Sequence, residues 1–180
     1  QRSVIGLAVN KTLDPTSDDY RWEDRGLVIE SSPETTDFNA IDAALFVDSD
    51  GTPYLFWGSY WTGLKATRID PTTGKRDPTH PEIVPVAARA RRTNTPAIEA
   101  PYVLFRDGYY YLFVSYDFCC DGAKSTYKVM VGRSKRVLGP YVDHRRRRMT
   151  DGGATLVLAS HEKWAGPGHN SVLRTDDRGD

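Results

Sequence analysis

Apolar and aromatic residues crowd into short runs separated by Gly, Pro and Asp clusters, a pattern that favours strands and tight turns over helices. Two stretches repeat one another. The first reads Ala40-Ile41-Asp42-Ala43, Leu45-Phe46-Val47, Asp50-Gly51 and Tyr54-Leu55-Phe56-Trp57. The second reads Ala97-Ile98-Glu99-Ala100, Tyr102-Val103-Leu104-Phe105, Asp107-Gly108 and Tyr111-Leu112-Phe113-Val114. Asp42 and Glu99, Gly51 and Gly108, and Tyr54 and Tyr111 each stand 57 residues apart, so the match needs no gap.

Each copy predicts a β-hairpin, because Asp-Gly between β-branched and aromatic runs supplies the positive φ of a type I′ turn or a G1 bulge. A third strand follows each hairpin, over Leu64–Ile69 and Lys128–Arg133. Val4–Val9 reads as such a third strand without its own hairpin. Gly168–Leu173, running into Asp177-Arg178-Gly179, reads as the first strand and turn of another copy. Repeats of about 40–60 residues, each a meander of short antiparallel strands, are the signature of a β-propeller. The expectation is an all-β chain with residues 1–36 ending one blade, 37–93 and 94–150 forming nearly whole blades, and 151–180 starting the next. A β-sandwich also has many short strands, but it gives no reason for a fixed self-match with an acid in both copies.

Composition narrows the partners. Lys and Arg total 24 against 24 Asp and Glu in 180 residues, so the chain lacks the overall charge that draws a protein to nucleic acid. Hydrophobic residues at 39% and charged residues at 27% are globular values, and no apolar run approaches the roughly 20 residues of a membrane helix. Cys119 and Cys120 are neighbours and cannot staple distant parts of the fold; they read as two thiols, one turned to the core. The chain opens on Gln1 without a basic and then apolar leader, which reads as an internal piece of a longer protein.

In a propeller the first strand of each blade lines the central channel, so Asp42 and Glu99 are expected to point toward one axis. Their neighbours Ile41, Ala43, Ile98, Ala100 and Pro101 are apolar, a context that raises a carboxylate's pKa as a general acid requires. The plainer reading is that both acids begin strands and pair with nearby arginines.

Asn39-Ala40-Ile41-Asp42, Ile98-Glu99-Ala100-Pro101-Tyr102, Gly58-Ser59-Tyr60-Trp61, Gly132-Arg133-Ser134, Gly139-Pro140-Tyr141 and Gly166-Pro167-Gly168-His169-Asn170 resemble glycoside hydrolase family 43. Within it the endo-acting α-1,5-L-arabinanases are most similar. The resemblance implies a five-bladed β-propeller, here incomplete, with two nearly whole blades and two partial ones. It implies an inverting hydrolysis of arabinan or arabino-oligosaccharides by a secreted parent protein. By motif, Glu99 matches the general acid and Asp42 the pKa-modulating Asp. The general base of the family lies upstream on a first-blade strand, and Asp14, Asp18, Asp19 and Asp24 do not correspond to it. This chain is therefore expected to position substrate better than it hydrolyses it.

Asn39, Ile41, Ser59, Trp61 and His169 are the expected substrate contacts, with Trp57 as packing. In arabinanases a His in a Gly-His-Asn setting sits near a metal, often calcium, at the propeller centre, which marks His169 as a candidate ligand. One imidazole among waters makes a weak site for an ion that prefers oxygen. Exo-acting arabinofuranosidase or β-xylosidase activity, and a non-catalytic carbohydrate-binding propeller, are the alternative functions. Unpaired blade edges lead us to expect self-association.

Overall fold

The computed structural model describes residues 2–90 and 95–173. Strands β1 (Ser3–Val9) and β2 (Glu23–Ser31) form a two-stranded antiparallel sheet. A four-stranded meander follows: β3 (Ala44–Val47), β4 (Pro53–Trp57), β5 (Leu64–Arg68) and β6 (Val84–Ala87). A second comprises β7 (Ile98–Arg106), β8 (Tyr109–Tyr116), β9 (Lys128–Ser134) and β10 (Thr155–Leu158). All named pairings are antiparallel. Among the described residues no helix is long and apolar enough to cross a membrane.

The middle sheet is buried on both faces, and β4 shows why. Phe56 points into a core with Leu64, Val86, Ile98, Leu112, Val114, Tyr141 and Met149, which joins the two four-stranded sheets. Its neighbours Leu55 and Trp57 point the other way, into a core with Ile29, Phe38, Ala40 and Ile69 against the β1–β2 sheet. Strand alternation thus serves two cores at once. Trp57 is packing, as expected from sequence: it is fully buried and meets Phe38 edge to face at 5.4 Å between centroids.

The two hairpins use the two turn types allowed by Asp-Gly. Asp107 and Gly108, both at positive φ (50° and 73°), form a two-residue turn between Arg106 and Tyr109. In the first hairpin Val47 pairs with Pro53 across five residues, with Gly51 at φ 84° donating to Asp48 O at 2.9 Å. This difference corrects the gapless repeat. Phe56 and Phe113 are 57 apart, but their partners Ala44 and Tyr102 are 58 apart. The backbone counterpart of Glu99 is therefore Ile41, and Asp42 matches Ala100; Asp42 and Ala100 share a positive φ of 58° and 54°.

Three other boundaries differ from the sequence reading. β10 belongs to the β7–β9 sheet, pairing Thr155 with Val131 and Leu156 with Met130, so that sheet does not end at residue 150. The intervening chain stays on the sheet because Val142 bridges both Arg133 and Arg148 while Met149 fills the core. Val4–Val9 pairs with β2, a strand that sequence did not single out. Residues 168–173 form no strand, and Asp177-Arg178-Gly179 lies outside the described residues. Cys119 and Cys120 are joined as a disulfide rather than standing as two thiols, and neither is buried.

Candidate active site

Glu99, the second residue of β7, lies directly opposite Ser115 of β8, so both side chains leave the same face of the sheet. The chain beyond β4 crosses to this strand: Ser59 bridges Glu99, and the Tyr60 N–H donates to Ile98 O at 2.9 Å. That crossing brings the Ser59 hydroxyl to Glu99 Oε2 at 2.7 Å. On the other side the Tyr127 hydroxyl donates to Glu99 Oε1 at 2.6 Å. Both carboxyl oxygens of Glu99 are thereby held by hydroxyl groups.

Asp42 lies beside it, accepting a hydrogen bond from the Ala100 N–H at 3.2 Å. Sequence brought these acids together as equivalent positions; the fold brings them together as neighbours, with Asp42, just ahead of β3, accepting from Ala100 in the bulge near the start of β7. Burial first, and the Glu99 carboxylate second, raise the Asp42 pKa above its usual value, against the lowering effect of His169 and the Ala100 N–H. Asp42, Ala100, Tyr60, Trp61 and His169 all hold φ between 39° and 58° without being glycine. Each such residue costs about 1–3 kcal/mol, and strain of this kind collects at functional sites.

The other expected contacts separate into groups. Ser59 is 3% exposed, and its hydroxyl is engaged by Glu99, so it serves the acid rather than facing a sugar. Ile41 is half-buried, with its carbonyl accepting from the Gly58 N–H at 2.9 Å. Asn39 Oδ1 and Asn170 Oδ1 are buried and accept no hydrogen bond within the described structure. Trp61 is 37% exposed and lines a cavity of about 380 Å³ with Thr62, Arg89, Pro96 and Thr150. Arg89 is fixed there by the Tyr116 ring, 4.1 Å from its guanidinium carbon, and by Asp117 at 3.2 Å.

His169 is exposed, with its N–H donating to Ser115 Oγ at 2.8 Å. Its imidazole lies close enough to Asp42 to oppose that residue's pKa rise. Calcium takes six to eight oxygen ligands. The described residues contain no group of three His, Cys, Asp or Glu side chains able to hold a metal, and Glu99 is already engaged. These residues do not by themselves fit calcium.

Sequence reasoning missed Tyr127 and Ser115. Tyr127 precedes β9 behind a β8–β9 connection longer than its β4–β5 counterpart, so no repeat register pointed to it. Ser115 has Gly58 as its counterpart 57 residues earlier, so nothing in the repeat marked it either.

Two adjoining carboxyl groups, one held by hydroxyls and the other driven toward its neutral form, are the equipment of a glycosidase. The chain belongs to glycosyl hydrolases family 43, whose sequence profile matches residues 4–180. It is 42% identical over 98% of its length to the extracellular exo-α-(1→5)-L-arabinofuranosidase ArbA of Cellvibrio japonicus. It is 43% identical over 95% of its length to the extracellular endo-α-(1→5)-L-arabinanase 1 of Bacillus subtilis. The chain spans about half the length of these relatives, 52% and 50% respectively. The solved α-L-arabinanase of Cellvibrio cellulosa complexed with arabinohexaose superposes with a TM-score of 0.87 at 41% identity, covering 96% of this chain and 57% of that one. An exo-1,5-α-L-arabinanase from a bovine ruminal metagenomic library gives a TM-score of 0.89 at 43% identity, covering 96% and 56%.

Proposed function

We propose that this chain carries the acid side of an inverting arabinan hydrolase built on a five-bladed β-propeller and secreted by its source. Glu99 is the general acid. It protonates the departing glycosidic oxygen while a water, activated by a base outside these 180 residues, attacks the opposite face of the furanose. Asp42, whose own ionisation is disfavoured by burial and by Glu99, is the modulating partner. The substrate is an α-1,5-linked arabinan or arabino-oligosaccharide. Trp61 supplies a stacking surface. Ile41 and His169 flank the acids. A calcium ion beside His169 needs ligands other than the described side chains, and no step here runs through it.

The observation that carries this reading is the double hydroxyl hold on Glu99 beside Asp42, in a chain whose relatives are named for arabinan cleavage. The propeller is supported by a middle sheet buried on both faces and by the superposition on solved arabinanases. Secretion is supported by relatives named extracellular. Exo action is the second reading, since relatives of both modes match equally well; chain-length analysis of products from linear arabinan separates them.

In a full-length protein carrying these residues, Glu99→Gln is expected to lower kcat on arabinan by about 10²–10⁴-fold, the span of general acid catalysis, with binding little changed. Aryl arabinofuranosides with acidic leaving groups need little protonation and are expected to lose far less. Unchanged turnover of arabinan by this variant removes Glu99 from the role.

A further inference from the structure

We infer that Tyr127 is the positioning residue for Glu99, holding the carboxyl group in its proton-delivering orientation through Oε1. This inference rests on Glu99 being the general acid.

The two oxygens of the Glu99 carboxyl are held separately. The Tyr127 hydroxyl donates to Oε1 at 2.6 Å, and the Ser59 hydroxyl donates to Oε2 at 2.7 Å. On the same face the His169 main-chain N–H donates to Ser115 Oγ at 2.8 Å. A hydroxyl can turn, so each partner accepts from or donates to the carboxyl according to its protonation. On transfer an O–H bond of Glu99 breaks and an O–H bond forms on the departing sugar oxygen, and the Tyr127 hydroxyl then donates to the carboxylate left behind.

The fold brings these residues together as cross-strand neighbours. Glu99 and Ser115 face each other, Ser115 pairs with Val129, and Tyr127 lies two residues before Val129 on the same face. Tyr127 is 4% exposed, so it cannot touch a polysaccharide and must act through Glu99. The Gly166–Asn170 segment closes over them. A Cβ on Gly168 would lie 2.0 Å from the Tyr127 ring, so only glycine lets the segment pack there and deliver the His169 N–H. The general acid is thereby tied to the segment that presents His169.

The test compares leaving groups in a full-length protein carrying these residues. Tyr127→Phe keeps the ring but frees Glu99 Oε1. We expect kcat on an arabino-oligosaccharide to fall about 10–100-fold, the span of one hydrogen bond to a charged group, with KM nearly constant. On dinitrophenyl arabinofuranoside the loss is expected to stay below about threefold, since that leaving group departs without protonation. Equal losses on both substrates in the folded variant overturn the inference, because a purely structural defect does not sense the leaving group. Glu99→Gln run in parallel separates the two ideas. If it shows no leaving-group dependence, the acid assignment fails; if it does while Tyr127→Phe does not, only the positioning role fails.

Discussion

Asp42 shows how one residue's surroundings set both chemistry and cost. Burial and the Glu99 carboxylate raise its pKa above the usual 3.8, so between the unfolded and folded values the native state holds more protons than the unfolded chain. Native stability therefore falls as pH rises through that window, and above it the charge is a cost to the fold. Asp42→Asn keeps an oxygen for the Ala100 N–H and removes the charge. Its melting temperature is expected to exceed that of the parent by a few degrees at pH 7. The gain should vanish near pH 3, where both states hold Asp42 neutral. Melting curves at the two pH values check this, and a gain that is the same at both contradicts the electrostatic cause. At this scale sequence picked out the two acids by the 57-residue self-match and by the family's motifs, although strand pairing places the self-match one residue out of register. It could not show that Ser59 faces Glu99 rather than a sugar, or that Tyr127 stands behind it, since those contacts span 40 and 28 residues.

Among elements, the hairpins were legible and the edges were not. Asp-Gly dictates positive φ from local chemistry alone, and both turns follow it. The choice between a two-residue turn and a bulged five-residue loop lies in strand pairing, and that choice moved the repeat by one residue and gave Glu99 the counterpart Ile41. The turn between β4 and β5 has a strict requirement of its own. Gly63 sits at φ 93°, and a Cβ there would lie 2.2 Å from the Ala87 carbonyl oxygen of β6. Gly63→Ala adds left-handed strain to a backbone collision and is expected to cost about 2–4 kcal/mol. Chemical denaturation measures this; a loss under about 1 kcal/mol would show that β6 yields easily, contrary to its buried Val86 and Ala87.

For the whole molecule, the described sheets stack so that only the middle one is covered on both faces. Val4 and Leu27 on the first sheet are 55% and 48% exposed, and Leu156, Val157 and Leu158 on β10 are 56%, 51% and 51% exposed. Apolar strands left open at both ends invite pairing. The 180-residue chain on its own is expected to self-associate at micromolar concentration and to release little reducing sugar from arabinan. Light scattering beside a reducing-sugar assay tests both. A stable monomer with full turnover would place the general base inside this chain.

The sequence by itself determined the all-β class, the two hairpins, the pair of acids and the family, because turn chemistry, alternation and motif are written in neighbouring residues. Tertiary structure decided what those residues do to one another. It assigned β10 to the second meander, joined Cys119 to Cys120, turned Ser59 and Tyr127 onto Glu99, and set the His169 N–H on Ser115. The long-range contacts among these depend on how strands from distant parts of the chain meet, and a hydrogen bond across 28 or 54 residues leaves no periodic trace in either partner's surroundings.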